Sequence, residues 1–273
     1  MVAGAGLSGG LQRRLQDAGI GIARLGDGDS GAFEAWLQLR AHFGRRATLV
    51  DLYELEAASR GVRPQDLPAS DRERLKALSR AVRHPGCADV PPGSDRHGDS
   101  HEVISYDPAW PELFLAWRGR LAATLGRAAT RIDHVGSTSV PGLAAKPVID
   151  IQVSVPDVAD ESSYLSRAES AGLILRLREH DHRFLWPPPA RARDVHVHIC
   201  ATGGAWERDH LLFRDYLRSH AAVRDNYAAL KRELIQQWRH DRKAYGEAKT
   251  GFVLDTLADA SQWAARSQWR LSR

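Results

Sequence analysis

Residues 134–155 read HVGSTSVPGLAAKPVIDIQVSV, and the rest of the chain is organised around them. An apolar run, Ile132 to Val135, leads into the small-residue loop Gly136-Ser137-Thr138-Ser139. Val140-Pro141-Gly142 then punctuates the chain as a turn. After Lys146-Pro147, β-branched residues alternate with polar ones through Val148-Ile149-Asp150-Ile151-Gln152-Val153. That period of two predicts a half-buried strand, with Asp150 and Gln152 on one face and Ile149, Ile151 and Val153 on the other. A glycine-serine loop lets backbone N–H groups approach an anion. A carboxylate on the next strand is placed to hold a divalent ion beside it, and Lys146 adds a point charge. The same pattern also suits a plain strand–loop–strand connection with a solvated Asp.

A second strand, Asp194-Val195-His196-Val197-His198-Ile199, alternates in the same way. Asp194, His196 and His198 share one face, and Val195, Val197 and Ile199 the other. Three roles are open for the histidine pair: metal ligand, general base, or hydrogen-bonded lining of a pocket.

The string HVGSTSVPGLAAKPVIDI closely resembles the signature of the GrpB-like family, placed in the nucleotidyltransferase superfamily. The resemblance begins at Tyr106-Asp107-Pro108-Ala109-Trp110. It continues through Asp181-His182-Arg183-Phe184 and Leu211-Leu212-Phe213-Arg214-Asp215-Tyr216-Leu217-Arg218, to Tyr245 and Lys249. It spans about residues 102–263. It implies an α/β fold with a nucleotidyltransferase-like mixed sheet and a helical C-terminal cap. It also implies nucleotidyl transfer, or related metal-dependent nucleotide chemistry, on an unknown acceptor.

On that basis the phosphate-binding candidates are Gly136, Ser137, Lys146, Arg183, Arg214 and Arg218. The catalytic candidates are Asp150, Asp194, His196 and His198, with Asp150, Asp194 and His196 as ligands of Mg²⁺ or Mn²⁺. The superfamily carries two acids on its first metal-binding strand, and here Gln152 stands in place of the second. That departure favours a different reading, a non-catalytic nucleotide-binding or accessory module. Family members are found joined to dephospho-CoA kinase, which suits an assisting role in coenzyme A biosynthesis. No P-loop pattern GxxxxGK[ST] occurs in this chain.

Upstream, residues 1–84 read as a small all-α domain. Leu11 and Leu15 mark a first helix, and Phe33, Leu37 and Leu39 to Phe43 a second. Thr48 caps a third that stops at Gly61, and Ser70 with Glu73 forms a capping-box pattern for a fourth. Residues 85–101 are rich in Pro, Gly, Asp and Ser, and read as a linker. His84, His97 and His101 are scattered around it without a ligand spacing. The second domain, 102–273, opens with a helix that takes Pro111 in its first turn. Helices are expected over Asp157 to Ala171, Trp206 to Ser219, Val223 to Trp238, and Tyr245 towards Trp263.

Of the 273 residues, 43% are hydrophobic and 26% charged, which suits a soluble protein with a sizeable core. The net charge of +4 is mild, compatible with anionic substrates and no indication of nucleic acid. Cys87 and Cys200 form no CxxC pattern and no disulfide framework, so a cytoplasmic setting is expected. No uninterrupted apolar run reaches about 18 residues, and residues 1–10 lack the regions of a signal peptide.

Overall fold

The structure, a computed structural model, describes residues 7–21, 31–83, 102–188 and 194–271. The linker expected over 85–101 and His84, His97 and His101 lie outside these residues. In chain order the helices are α1 (Gly9–Asp17), α2 (Gly31–Phe43), α3 (Leu49–Arg60), α4 (Ala69–Arg83) and α5 (Trp110–Leu125). Strands β1 (Arg131–Val135) and β2 (Ile149–Val155), helix α6 (Leu165–Ser170) and strands β3 (Ile174–Arg178), β4 (His182–Trp186) and β5 (Val195–Ala201) follow. The chain continues as α7 (Ala205–Ser219), α8 (Ala221–Gln237), α9 (Arg242–Ala248) and α10 (Thr250–Ser267). Among the described residues no helix is long and apolar enough to cross a membrane.

The chain divides into two compact units, Met1–Pro85 with Leu234–Leu254, and Gly86–Glu233 with Asp255–Arg273. The first is helical. Thr48 caps α3 through a reciprocal box with Asp51, and Gly61 closes it in the left-handed conformation. Leu11, Leu15, Trp36, Leu39, Leu52 and Tyr53 are buried in it. Ser70 does not cap α4. The helix already includes Ala69, and Arg72 N–H donates to the carbonyl of Pro68, so Ser70 lies inside its first turn.

Sequence reading puts Leu234–Leu254 with the α/β domain, whereas its contacts place it with the N-terminal helices. Two buried carboxylates show why. Asp241 accepts from the Tyr53 hydroxyl at 3.0 Å, and Glu247 accepts from the first backbone N–H of α3, on Leu49, at 2.7 Å. The final helix expected from Tyr245 onward is two helices, broken at Lys249 between Gly246 and Gly251, the residue type least suited to a helix interior after proline.

The second unit is built on a five-stranded sheet of order β1-β2-β5-β4-β3. Only β2 and β5 run parallel; the other neighbours are antiparallel. Alternation gives this sheet two unlike faces. Ile149, Ile151 and Val153 of β2 and Val195, Val197 and Ile199 of β5 pack under Trp110, Leu121 and Leu125 of α5 to form the core. The helix expected over Asp157–Ala171 is shorter. Asp157 Oδ1 accepts from Ala159 N–H and Asp160 Oδ1 from the Ser162 hydroxyl, so local side-chain bonds compete with helix formation until Leu165. A smaller cluster joins Leu212 and Tyr216 of α7 to Ala260 and Ala264 of α10.

Candidate functional site

Register builds the polar face. Asp150 lies opposite Val135 of β1 and beside His196 of β5, and Gln152 lies opposite Asp133 and beside His198. On β4, Phe184 pairs with His198, so it shares this face. Asp150 Oδ1 stands 3.1 Å from His196 Nδ1 and 3.8 Å from His198 Nε2. The carboxylate remains 29% exposed.

The loop after β1 meets the other side of the same carboxylate. Gly136 adopts φ 69°, ψ −173°, a region essentially reserved for glycine. A Cβ there would come within 2.2 Å of Asp150 Oδ2. Ser137–Ser139 forms a single 3-10 turn, held from within by the Ser139 hydroxyl donating to the Gly136 carbonyl at 2.6 Å. Thr138 donates to the Val148 carbonyl, and its oxygen lies 3.0 Å from His134 Nε2. His134 is therefore the donor in that pair, and it stacks on Phe114 at 4.8 Å.

Two arginines of α7 clasp the turn from outside. Arg218 donates twice to the Ser139 carbonyl, at 2.7 and 3.1 Å, and Arg214 donates to the His134 carbonyl at 3.1 Å. Asp215 joins them, at 2.7 Å from Arg214 and 3.4 Å from Arg218. Lys146 stands half-buried ahead of β2.

Burial alone would raise the pKa of Asp150, but the hydrogen bond from His196 and the charge of the His196 and His198 rings outweigh it and hold the carboxyl below its usual range. Burial pushes His198 down to about 4, with Asp150 opposing and His182 adding to the effect. The carboxylate is thus ionised and the His198 ring neutral at pH 7.

The structure brings Gly136, Ser137, Asp150, His196, His198, Arg214 and Arg218 to one region. It does not bring Arg183 there. Arg183 pairs with Ile199 and points to the core face, where it bonds Glu161 at 2.6 Å and the Glu179 carbonyl. Asp194 is exposed just ahead of β5, with its carbonyl accepting from Ile149 N–H.

Among the described residues no group of three or more His, Cys, Asp or Glu is arranged to hold a metal ion. Asp150, Asp194 and His196, expected as one ligand set, are not assembled as one. Gln152 is fully buried, and neither polar atom of its amide has a partner among the described residues. These residues therefore do not fit a centre of two metal ions held by paired acids.

Sequence reading gave no role to Glu179, His182 or Trp206. His182 Nε2 lies 3.0 Å from His198 Nδ1, and His182 Nδ1 lies 2.8 Å from Glu179 Oε2. Trp206, on α7, stacks on both rings, with centroids at 4.8 Å from His182 and 5.2 Å from His198. The available signal was the alternation His182, Phe184, Trp186, which marks β4 as a strand with an aromatic face.

A five-stranded mixed sheet flanked by helices, with an acid and two histidines beside a glycine-serine turn, defines an α/β domain with a polar site on one sheet face. The chain belongs to the GrpB family: the profile described as GrpB protein matches residues 100–259. A second profile, the TfoX C-terminal domain, matches residues 9–78. A UPF0157 protein of Halalkalibacterium halodurans is 42% identical over 170 residues, covering 60% of this chain and 85% of that one. A protein of Mycobacterium bovis named dephospho-CoA kinase is 29% identical over 194 residues, which cover 62% of this chain and 48% of the relative. The crystal structure of the conserved protein GrpB from Enterococcus faecalis superposes with a TM-score of 0.54 at 32% identity. It covers 59% of this chain and 99% of that one.

Proposed function

We propose that the α/β domain binds a nucleotide by its phosphates at the Gly136–Ser139 turn and promotes attack of an acceptor hydroxyl at phosphorus. One observation carries this. Asp150 presents one oxygen to Gly136 and the other to His196, tying the anion-binding turn and the histidine face into a single site. Gly136 and Ser137 would meet the phosphates, and Arg214, Arg218 and Lys146 would supply positive charge around them. His198, neutral at pH 7, would take the proton of the acceptor hydroxyl. The hydroxyl oxygen then bonds to the α-phosphorus as the bond to pyrophosphate breaks.

The buried, neutral Gln152 favours a second reading, in which the domain binds a nucleotide without turning it over. Such a module would assist another enzyme, for instance one of coenzyme A biosynthesis. A panel of nucleoside triphosphates, with Mg²⁺, Mn²⁺ or chelator, separates the two. Binding by calorimetry together with pyrophosphate release that is lost in Asp150→Asn and His198→Asn supports transfer. Binding without release supports the accessory module, and absence of binding under all conditions overturns both.

A further inference from the structure

We propose that Glu179 and His182 are positioning residues that fix the tautomer of His198, placing its ring proton on Nδ1 and leaving Nε2 as the basic nitrogen towards Asp150. The proposal deepens the role given to His198 above and rests on it for its consequence, but its geometry stands alone.

Four groups lie in series: the Glu179 carboxylate, the His182 ring, the His198 ring and the Asp150 carboxylate. The three gaps between them are 2.8, 3.0 and 3.8 Å. Two neutral imidazoles carry two ring protons between them, so one of the three gaps must go without a hydrogen bond. The first two gaps are hydrogen-bond distances and the third is not. The protons therefore sit on His182 Nδ1, donating to Glu179, and on His198 Nδ1, donating to His182 Nε2. The reverse assignment would set a bare His182 nitrogen 2.8 Å from an ionised carboxylate, lone pair against charge.

The local fold holds this arrangement. Glu179 N–H donates to the His182 carbonyl at 2.9 Å, closing the β3–β4 hairpin and bringing the Glu179 side chain back to the ring. Trp206 lies within 9° of parallel to the His182 ring and 28° of the His198 ring. Asp150 is left to His196, whose Nδ1 donates to it at 3.1 Å. Each of the two acids thus orients its own imidazole, an arrangement that fixes the reactive nitrogen of a histidine base.

The test is nitrogen NMR of the full chain, labelled with ¹⁵N-histidine, at pH 7.5 without nucleotide. The His198 signals are identified by their loss in His198→Asn. In the parent the Nδ1–H form should predominate. In His182→Phe the acceptor for Nδ1–H is gone, and the ratio should invert in favour of Nε2–H donating to Asp150. In His182→Gln the side-chain oxygen replaces the acceptor, and the parent ratio should return. Should His182→Phe fail to fold, Glu179→Ala, which removes the acceptor for His182 Nδ1–H, is the second variant, and it should lower the Nδ1–H share several-fold. A parent ring found as Nε2–H or doubly protonated overturns the proposal. So does a ratio unchanged by every folded variant, the mark of a merely structural His182. Because no nucleotide is present, these outcomes are separate from those of the proposed function. The expected tautomer in a protein that binds no nucleotide would count against that function alone.

Discussion

Gly136 leaves room for Asp150: a single added carbon at 136 would sit 2.2 Å from one carboxylate oxygen and 2.8 Å from Cβ of Asp150. Neither neighbour can give way easily, because Asp150 lies on a central strand and the turn is bonded to Val148.

Gly136→Ala should therefore act twice. The backbone conformation itself costs an L-residue on the order of 1–3 kcal/mol, and the clash displaces the carboxylate. Urea unfolding should show a loss of at least that order, and nucleotide binding should disappear in the protein that remains folded. An unchanged unfolding midpoint would refute the first effect, and retained binding the second.

Asp150 and His196 should not be independent. Asp150→Asn removes the charge that His196 Nδ1–H donates to, and His196→Phe removes the donor. In a double-mutant cycle on stability the pair should show coupling on the order of 0.5–3 kcal/mol. Strict additivity would mean the 3.1 Å contact has no energetic content.

Acid should weaken the second unit in a defined window. Burial pushes His134 from 6.5 down to about 4, with Asp150 opposing and Arg218 and Arg214 adding, and it pushes His198 to about 4 as well. In the unfolded chain both rings bind protons from about 6.5 downward. The unfolded state then holds more protons between the two values, so stability is complete above the upper one and falls as the pH drops towards 4. The slope should reach about 1.4 kcal/mol per pH unit for each ring. Unfolding at pH 7 and pH 5 should show the loss, and His134→Gln should reduce the slope by one proton's share.

In the first unit, Glu247→Ala takes away the acceptor for the buried Leu49 N–H and a negative charge from the start of α3. A loss of ~1–3 kcal/mol is expected in thermal or urea unfolding. Glu247→Gln keeps an acceptor and should recover part of it. Equal stability for all three proteins would remove the reason for grouping Leu234–Leu254 with the N-terminal helices.

Local patterns in the sequence were legible where the physics is local. Thr48 and Gly61 mark both ends of α3 because caps are decided within a turn of the chain. Asp150, His196 and His198 could be placed on polar faces because alternation is a property of one strand. What joins strands was not legible. That Asp150 neighbours His196, and that His182 reaches His198, depends on registers set by residues far apart. Arg183 illustrates the limit. Its residue type suits phosphate, but its position, next to His182 on β4, puts it on the other face. Trp238 and Tyr245 look like a continuation of the cap, because nothing local reveals that Tyr53 reaches the Asp241 between them.

The parallel pairing of β2 with β5 has a consequence for how this site can change. The register that sets Asp150 beside His196 also sets Ile149, Ile151 and Val153 against the core. A slip by one residue would exchange the faces, exposing three aliphatic side chains, each worth roughly 1.5–3 kcal/mol when buried. Misalignment of Asp150 against His196 therefore cannot occur quietly in a folded protein. A single-residue insertion within either strand should appear as an expression or folding failure before it can appear as a subtler change at the polar face. The spacing of the site is thus guarded by hydrophobic residues on the opposite face of the sheet.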